Sequence, residues 1–155
     1  CGLHMEIRID DISGQQVIRL LEEHLEHMIS VTPQGSVHAL DLDSLKGPEV
    51  TFWIIWEEEV LLGCGALKEL SGDHGEIKSM RTGSSHTGKG VASFMLNHLL
   101  KEAKARGYSR LSLETGGSAP FLPARKLYEK HGFSVCGSFA DYGNDDHSFF
   151  MTREL

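Results

Sequence analysis

The sequence is poor in features that would each indicate a particular class of protein. Three of its 155 residues are cysteines, and Cys1, Cys64 and Cys136 are far apart, so neither a disulfide framework nor a zinc knuckle is predicted. The longest apolar run, 60–67, is far shorter than the roughly 20 residues that span a bilayer, and no basic and apolar leader opens the chain. We therefore expect a cytoplasmic protein with no membrane partner.

Positive charge is also scarce. Fifteen Lys and Arg residues stand against 22 Asp and Glu residues, which gives a net charge of −7. This charge would repel a phosphate backbone, so we expect no nucleic-acid partner. Nine histidines are present, but no pair has the spacing of a helical metal site with a third ligand nearby. No metal site is therefore predicted.

The length and composition are those of one globular domain. Single domains cluster at about 100 to 150 residues, and a chain that is 40% hydrophobic and 24% charged can bury a core. Residues 1–4 precede Met5 and resemble the remnant of an expression tag, so the predicted domain is 5–155.

The hydrophobic pattern predicts an α+β protein. Alternation of apolar and polar residues predicts strands at about 6–9, 51–56, 60–70, 75–82, 108–115, 133–136 and 147–152. Between two of these, the segment 32–48 is predicted to be a loop with a short helix. We expect a mixed, mainly antiparallel central sheet of about seven strands, with helices packed on its faces.

Three helices are predicted from apolar residues at helical spacing. Their expected bounds are Ser13 to about Ile29, about Ala92 to Gly107, and Pro120 to Gly132. Ser13 and Gln16 form a capping box at the start of the first helix. Pro120 and Pro123 both fit the first turn of the third helix, and Gly132 suits a left-handed cap at its end.

The segment 83–92 joins a predicted strand to a predicted helix and holds the clearest functional motif. Gly88 and Gly90 let the backbone approach a ligand, and the start of a helix offers unpaired N–H groups and the positive end of the helix dipole. These features predict an anion site, with a pyrophosphate as the natural occupant and Lys89 as a nearby charge. A flexible connector before a helix is the structural alternative.

Two better-known phosphate motifs fit this segment less well. Residues 83–89 satisfy the first seven positions of a nucleoside triphosphate loop, but Gly90 replaces the hydroxyl residue that would ligate Mg²⁺. The neighbouring strands also resemble hairpins, whereas such loops belong to parallel sheets. A dinucleotide fingerprint fails because Ser93 stands where a third glycine is expected.

Two segments resemble motifs of the GNAT family of N-acetyltransferases. The family's pyrophosphate loop has the form Arg/Gln-x-x-Gly-x-Gly/Ala, and the segment 87–92 matches it at Gly90 and Ala92, with Thr87 in the first position. The segment 124–133 matches the family pattern Ala-x-x-Leu-Tyr-x-x-x-Gly-Phe. The resemblance extends over nearly the whole chain, because the predicted order of elements also fits the acyl-CoA N-acyltransferase fold.

One further position departs from the family. Many members carry an asparagine three residues before the alanine of the second motif, where this chain has Phe121.

The resemblance implies that acetyl-CoA is bound between two strands that splay apart. The backbone of Met80 and Thr82 would bind the pantetheine arm, and an N–H near Met80 would polarise the thioester carbonyl. The implied cofactor-binding residues are Met80, Arg81, Thr82, Thr87, Gly88, Lys89, Gly90, Val91, Ala92 and Ala124.

The resemblance also implies direct attack of a small-metabolite amine on acetyl-CoA through a tetrahedral intermediate. Tyr128 matches the family tyrosine near the sulfur and would protonate the thiolate, with a core aromatic as the alternative. Glu76 is the candidate base, with an exposed strand carboxylate as the alternative. Glu114 and Thr115 could face the acceptor, although Glu114 could instead oppose a lysine across the sheet. Cys64 lies in an apolar strand without an adjacent histidine, which disfavours a covalent cysteine route.

Two other functions stay open from the sequence. Within the same chemistry, the acceptor could be a protein or peptide amine. The chain could instead be a CoA-binding sensor without catalysis, which Thr87 mildly favours and Tyr128 mildly opposes. The acceptor and the oligomeric state are not encoded in any pattern, although a homodimer is the commonest assembly.

Overall fold

A mixed sheet of seven strands runs through the described part of the protein. The computed structural model describes residues 5–31, 47–82, 90–116, 122–137 and 148–155. The strands are β1 (Met5–Ile9), β2 (Val50–Glu57), β3 (Val60–Ser71), β4 (His74–Thr82), β5 (Arg110–Gly116), β6 (Ser134–Cys136) and β7 (Ser148–Glu154). They lie in the order β1-β2-β3-β4-β5-β7-β6, and β4 and β5 are the parallel pair. The predicted α+β class and the mainly antiparallel sheet are confirmed.

Helices cover both faces of this sheet. They are α1 (Gln15–Val31), α2 (Val91–Ala105) and α3 (Leu122–Lys130). Successive strand residues point to opposite faces, so Phe52 and Ile54 of β2 pack with α1 while Trp53 and Ile55 pack with α2. The parallel β4–β5 pair requires a crossover, which α2 provides.

Two hydrophobic clusters result. The α1-side cluster consists of Ile12, Val17, Leu20, Leu21, Phe52, Ile54, Cys64 and Ala66. The α2-side cluster consists of Trp53, Ile55, Leu62, Leu67, Ile77, Val91, Met95, Leu96, Leu99, Leu100, Ala103, Tyr108, Leu111, Leu113, Tyr128, Phe133 and Met151. Each buried Leu or Ile removed from water contributes about 1.5–3 kcal/mol to the free energy of folding, so the two clusters fix both helix layers on the sheet.

The start of α1 differs from the predicted capping box of Ser13 and Gln16. The helix begins at Gln15, and the Ser13 hydroxyl donates to the Asp11 carboxylate at 2.6 Å instead of capping the helix. The Ser13 N–H donates to the same carboxylate at 3.2 Å. The capping-box prediction is wrong because an aspartate two residues upstream competes for the serine hydroxyl.

The predicted helix ends are confirmed at two glycines. Gly107 follows α2 with φ 83°, and Gly132 follows α3 with φ 91°, both in the left-handed region that favours glycine. Pro123 lies in the first turn of α3, as predicted. Pro120 and the short helix expected within 32–48 lie outside the described residues, apart from 47 and 48, which form part of a turn. Among the helices described, none is long and apolar enough to cross a membrane.

Candidate active site

The strands β4 and β5 part midway along their length. Their parallel pairs run from His74 with Arg110 to Ile77 with Leu113. Both strands then continue without further pairs between their described residues, β4 to Thr82 and β5 to 116. We call the space between 78–82 and 114–116 the β4–β5 gap. Strand backbone at its edges has donors and acceptors available to a ligand.

A β-bulge in β4 lies beside the gap. Cys64 of β3 pairs with Arg81, and Ala66 pairs with Lys78, so two residues of β4 lie opposite Gly65. Residues three apart in a regular strand point to opposite faces, but the extra residue returns Arg81 to the face that Lys78 occupies. Since Cys64 and Ala66 belong to the α1-side cluster, this is the face toward α1.

Gly63 allows β3, β4 and α2 to meet next to the bulge. A Cβ at this position would lie 2.6 Å from the Arg81 carbonyl oxygen and 3.0 Å from Val91 Cγ1. Real Cβ atoms essentially never come within 3.0 Å of such an atom. A glycine is therefore required for the close approach of the two backbones.

The start of α2 has no side-chain cap from its own N-cap residue. That residue is Gly90, with φ 80° and ψ 10°, and it makes no side-chain hydrogen bond to the first turn. A Cβ built at Gly90 would meet no described atom within 4 Å. The first-turn amides lie at the positive end of the helix dipole. Thr87, Gly88 and Lys89 lie outside the described residues.

Tyr128 lies on α3 within the α2-side cluster. It is 7% exposed, and its ring meets the Phe133 ring edge-on, with the two centroids 5.7 Å apart. Burial raises the pKa of the phenol, and no hydrogen bond to another described residue adds to this effect. Met80 and Ala124 pack against the same cluster, which also contains Val91. Four of the predicted site residues therefore belong to this cluster or pack against it.

Glu76 is a buried residue of β4. It is 1% exposed, and its carboxylate oxygen lies 3.3 Å from Lys78 Nζ. The alternative of an exposed strand carboxylate is wrong, because β4 is an inner strand with β3 on one side and β5 on the other. Glu76 pairs with Lys68 of β3, two positions before the pair of Ala66 with Lys78, so its side chain lies on the α1-side face.

Glu114 and Thr115 lie on β5 just past its last pair with β4. Their partners in β7 are Phe150 and Phe149. On the β4 side, the parallel register that pairs Ile77 with Leu113 continues to Lys78 and Glu114, so the alternative in which Glu114 opposes a lysine stays a prediction. Leu113 belongs to the α2-side cluster, and by alternation Glu114 points to the α1-side face while Thr115 points to the α2-side face. The two residues predicted to face the acceptor are therefore on opposite faces of the sheet.

A polar network ties β4, β5 and β7 together where these strands stay paired. His74 Nε2 lies 2.7 Å from the Ser112 hydroxyl, which lies 2.9 Å from the Thr152 hydroxyl. Arg110 donates to Thr152 at 3.0 Å. Burial lowers the pKa of His74, and the charge of Arg110 adds to this shift. This network was not predicted from the sequence, although the alternation of His74 with Glu76 could have indicated one polar face.

Two cysteines, Cys64 and Cys136, lie within the described residues, and no disulfide joins them. Cys64 is fully buried, and burial raises its pKa to about 12. A thiol with this pKa stays protonated at neutral pH and is a poor nucleophile, in line with the expectation for Cys64. Across the five described ranges, no group of three His, Cys, Asp or Glu residues is placed to hold a metal ion.

The side chain of Arg81 has a different environment from its backbone. The position of Arg81 in the strand predicts contact of this residue with the cofactor. In the structure the guanidinium reaches α1, where Nη2 lies 3.2 Å from Glu23 Oε1. The β-bulge sets the direction of this side chain, and no local sequence pattern indicates the bulge.

Comparison with known proteins gives consistent matches. The model of the acetyltransferase (GNAT) family matches residues 15–133. The chain is 59% identical to the N-acetyltransferase YsnE of Bacillus subtilis (strain 168) over 97% of this chain and 100% of that one. It is 48% identical to the N-acetyltransferase YedL of Escherichia coli (strain K12) over 96% and 94%. A GNAT family acetyltransferase from Elizabethkingia anophelis, solved with acetyl-CoA bound, shares the fold with a TM-score of 0.68, 16% identity and coverage of 97% and 98%.

Proposed function

Because this chain belongs to the GNAT family of acetyltransferases, as its sequence motifs predicted, we propose that it transfers an acetyl group from acetyl-CoA to the primary amine of a small metabolite. The observation that carries the proposal is the β4–β5 gap, which lies beside the start of α2 at Gly90. An unpaired strand edge and a helix N-terminus are the two kinds of backbone that a long, anionic thioester cofactor needs.

The described residues fit acetyl-CoA, whose thioester would supply the acetyl group. The backbone of Met80 and Thr82 lies at the β4 edge of the gap and would bind the pantetheine arm. The amides of 90–92, with Thr87, Gly88 and Lys89 before them, would hold the pyrophosphate, where a Cβ at Gly90 would meet no described atom within 4 Å. Ala124 would line the α3 side of the cofactor site. The Elizabethkingia anophelis relative of this fold, which has acetyl-CoA bound, supports this fit.

Glu76 would remove a proton from the acceptor ammonium, directly or through a water molecule. Its carboxylate lies on the α1-side face of β4, two residues before the part of the strand that borders the gap. Glu114 points to the same face from β5 and would help to hold the acceptor. An N–H near Met80 would stabilise the negative charge that develops on the thioester oxygen as the amine attacks.

Tyr128 would supply a proton to the departing CoA sulfur from the face of the sheet opposite to Glu76. Its side chain belongs to the α2-side cluster, whereas Glu76 lies on the α1-side face. Because burial raises the pKa of the phenol, the group stays protonated throughout the neutral range, and the same shift makes it a weaker acid. A base on one face and an acid on the other suit a reaction in which the amine enters and the thiol leaves on different sides. The high pKa of Cys64 supports direct attack rather than a covalent cysteine route.

The experiment is an acceptor screen. Acetyl-CoA is mixed with the protein and a panel of small amines, peptides and a lysine-containing protein, and thiol release and acetylated products are measured by absorbance and mass spectrometry. Turnover on small amines supports the proposal. Turnover only on peptides or protein would make those the acceptors, and binding of acetyl-CoA without turnover on any amine would favour the sensor. The cytoplasmic location, the single domain at 5–155 and the homodimer stay predictions.

A further inference from the structure

Arg81 is a charged side chain that lies at the β4–β5 gap and is oriented by the bulge. It is the second-last residue of β4, beyond the last pair of that strand with β5. Its cross-strand partner Cys64 and its ion pair with Glu23 of α1 both place the guanidinium on the α1-side face. This is the face on which Glu76, the proposed base, also lies.

The guanidinium has more donors than the described residues satisfy. Arginine carries five N–H donors, and one guanidinium nitrogen, Nη2, donates to Glu23 at 3.2 Å. Arg81 Nε is buried and has no hydrogen-bond partner within the described part of the chain. Buried donors in native proteins are nearly always paired, so this atom indicates that a ligand completes the site. Two other described nitrogens share this condition, those of His98 and Arg125, but each of these side chains packs against an aromatic ring.

The charges on this face suit a ligand that carries both a positive and a negative charge. Lys78 and Arg81 bring two positive charges, and Glu76, Glu23 and Glu114 bring three negative charges. The side chain of Arg81 is 20% exposed, so a ligand can reach it. A planar guanidinium matches a carboxylate through two parallel hydrogen bonds. A phosphate dianion would face the same three carboxylates with twice the negative charge of a carboxylate ligand.

We propose that Arg81 binds a carboxylate of the acceptor, so that the substrates of this enzyme are amino acids or closely similar amino carboxylates. The inference rests on the proposed function and names its substrate class. The acceptor amine lies toward Glu76 and its carboxylate pairs with Arg81, so the ligand is a zwitterion whose two charges meet opposite charges on one face of the sheet. Arg81 is then a residue that determines specificity for the acceptor.

The structural alternative is that Arg81 only fastens α1 to β4 through Glu23. Arg81→Gln and Glu23→Gln both break that ion pair, but only Arg81→Gln removes the carboxylate site. Arg81→Lys keeps the charge and loses the two-pronged geometry. Thermal unfolding of the three variants and their KM for acetyl-CoA test whether the fold and the cofactor site are intact.

The test uses matched ligands, namely common L-amino acids and their primary amides, which differ only in the carboxylate. With the wild-type protein we expect kcat/KM to be at least about tenfold higher for the best amino acid than for its amide, which corresponds to about 1.4 kcal/mol. In Arg81→Gln the KM of the amino acid should rise about tenfold with little change in kcat, and the preference should disappear. Glu23→Gln should keep the preference, and Arg81→Lys should fall between the two.

Two outcomes overturn the inference while leaving the proposed function standing. One is a wild-type protein that acetylates the amides as well as the acids. The other is a Glu23→Gln variant that loses the preference as fully as Arg81→Gln. If no amine is acetylated, the proposed function fails, and calorimetric titration of the same ligand pairs still decides the inference. Tighter binding of the acid that depends on Arg81 supports it, and equal binding of acid and amide overturns it.

Discussion

The change Tyr128→Phe removes one hydroxyl from the proposed acid and leaves the packing of the ring in place. The side chain is 7% exposed, and its ring contact with Phe133 does not involve the oxygen. No hydrogen bond to a described residue is lost, so we expect the free energy of unfolding to change by less than about 1 kcal/mol. A general acid contributes about 10² to 10⁴ in rate, or about 3–5 kcal/mol of the barrier, so kcat should fall by that factor.

Tyr108→Phe is the matched control. Tyr108 is also buried, at 4% exposure, and its hydroxyl donates to Glu69 at 3.1 Å, on a part of the sheet outside the proposed site. We expect this variant to lose up to about 1 kcal/mol of stability and to keep its kcat. Steady-state thiol release gives kcat, and calorimetric titration gives the acetyl-CoA affinity, which should be the same in both variants. A Tyr128→Phe variant with wild-type kcat and normal folding would remove this residue from the mechanism.

Two further predictions concern β3 and β4. Gly63→Ala places a Cβ 2.6 Å from the Arg81 carbonyl oxygen. It should lower the free energy of unfolding in urea by about 1–3 kcal/mol and weaken acetyl-CoA binding. Gly72→Ala is the control, because its Cβ would meet no described atom within 4 Å, and it should change neither quantity. Equal stability of the two variants would show that the backbones at the bulge are not so close. Glu76→Gln should lower kcat by about 10² to 10⁴ at pH 7, and the loss should shrink toward pH 10, where amine acceptors lose their proton unaided. Lys78→Met breaks the same 3.3 Å ion pair and keeps the carboxylate, so it should retain most of the turnover; a pH-independent loss that both variants share would make Glu76 structural.

Local patterns were sufficient to predict most of the elements and the ends of the helices. Alternation located the strands, and Leu111 and Leu113 face the α2-side cluster as an alternating strand requires. Gly107 and Gly132 end their helices with positive φ, which is a property of the residue itself. The capping-box prediction was wrong because Asp11, which competes for the hydroxyl of Ser13, lies outside the Ser13–Gln16 motif on which the prediction was based.

Features that depend on distant parts of the chain could not be predicted. Glu76 is buried because β5, which begins at Arg110, pairs with β4 and makes it an inner strand. The bulge arises from the register between β3 and β4 around Gly65, and two residues are too few to leave a periodic signal. The direction of Arg81 follows from that bulge. The motif of 87–92 identified the family, but its geometry before Gly90 lies outside the described residues.

The central claim is that acetyl-CoA binds with its pyrophosphate at Gly90, where α2 begins. Calorimetric titration of acetyl-CoA into Gly90→Val and Gly107→Val tests it most directly. The two glycines lie at opposite ends of α2 with φ of 80° and 83°, so both substitutions carry the same backbone strain, and a Cβ at either would meet no described atom within 4 Å. We predict that Gly107→Val binds acetyl-CoA like the wild type and that Gly90→Val binds it at least about 100-fold more weakly. The branched side chain at 90 would occupy the space of the phosphate, whereas the backbone strain of the substitution is the same in both variants. Equal affinity of the two variants would contradict this placement of the cofactor.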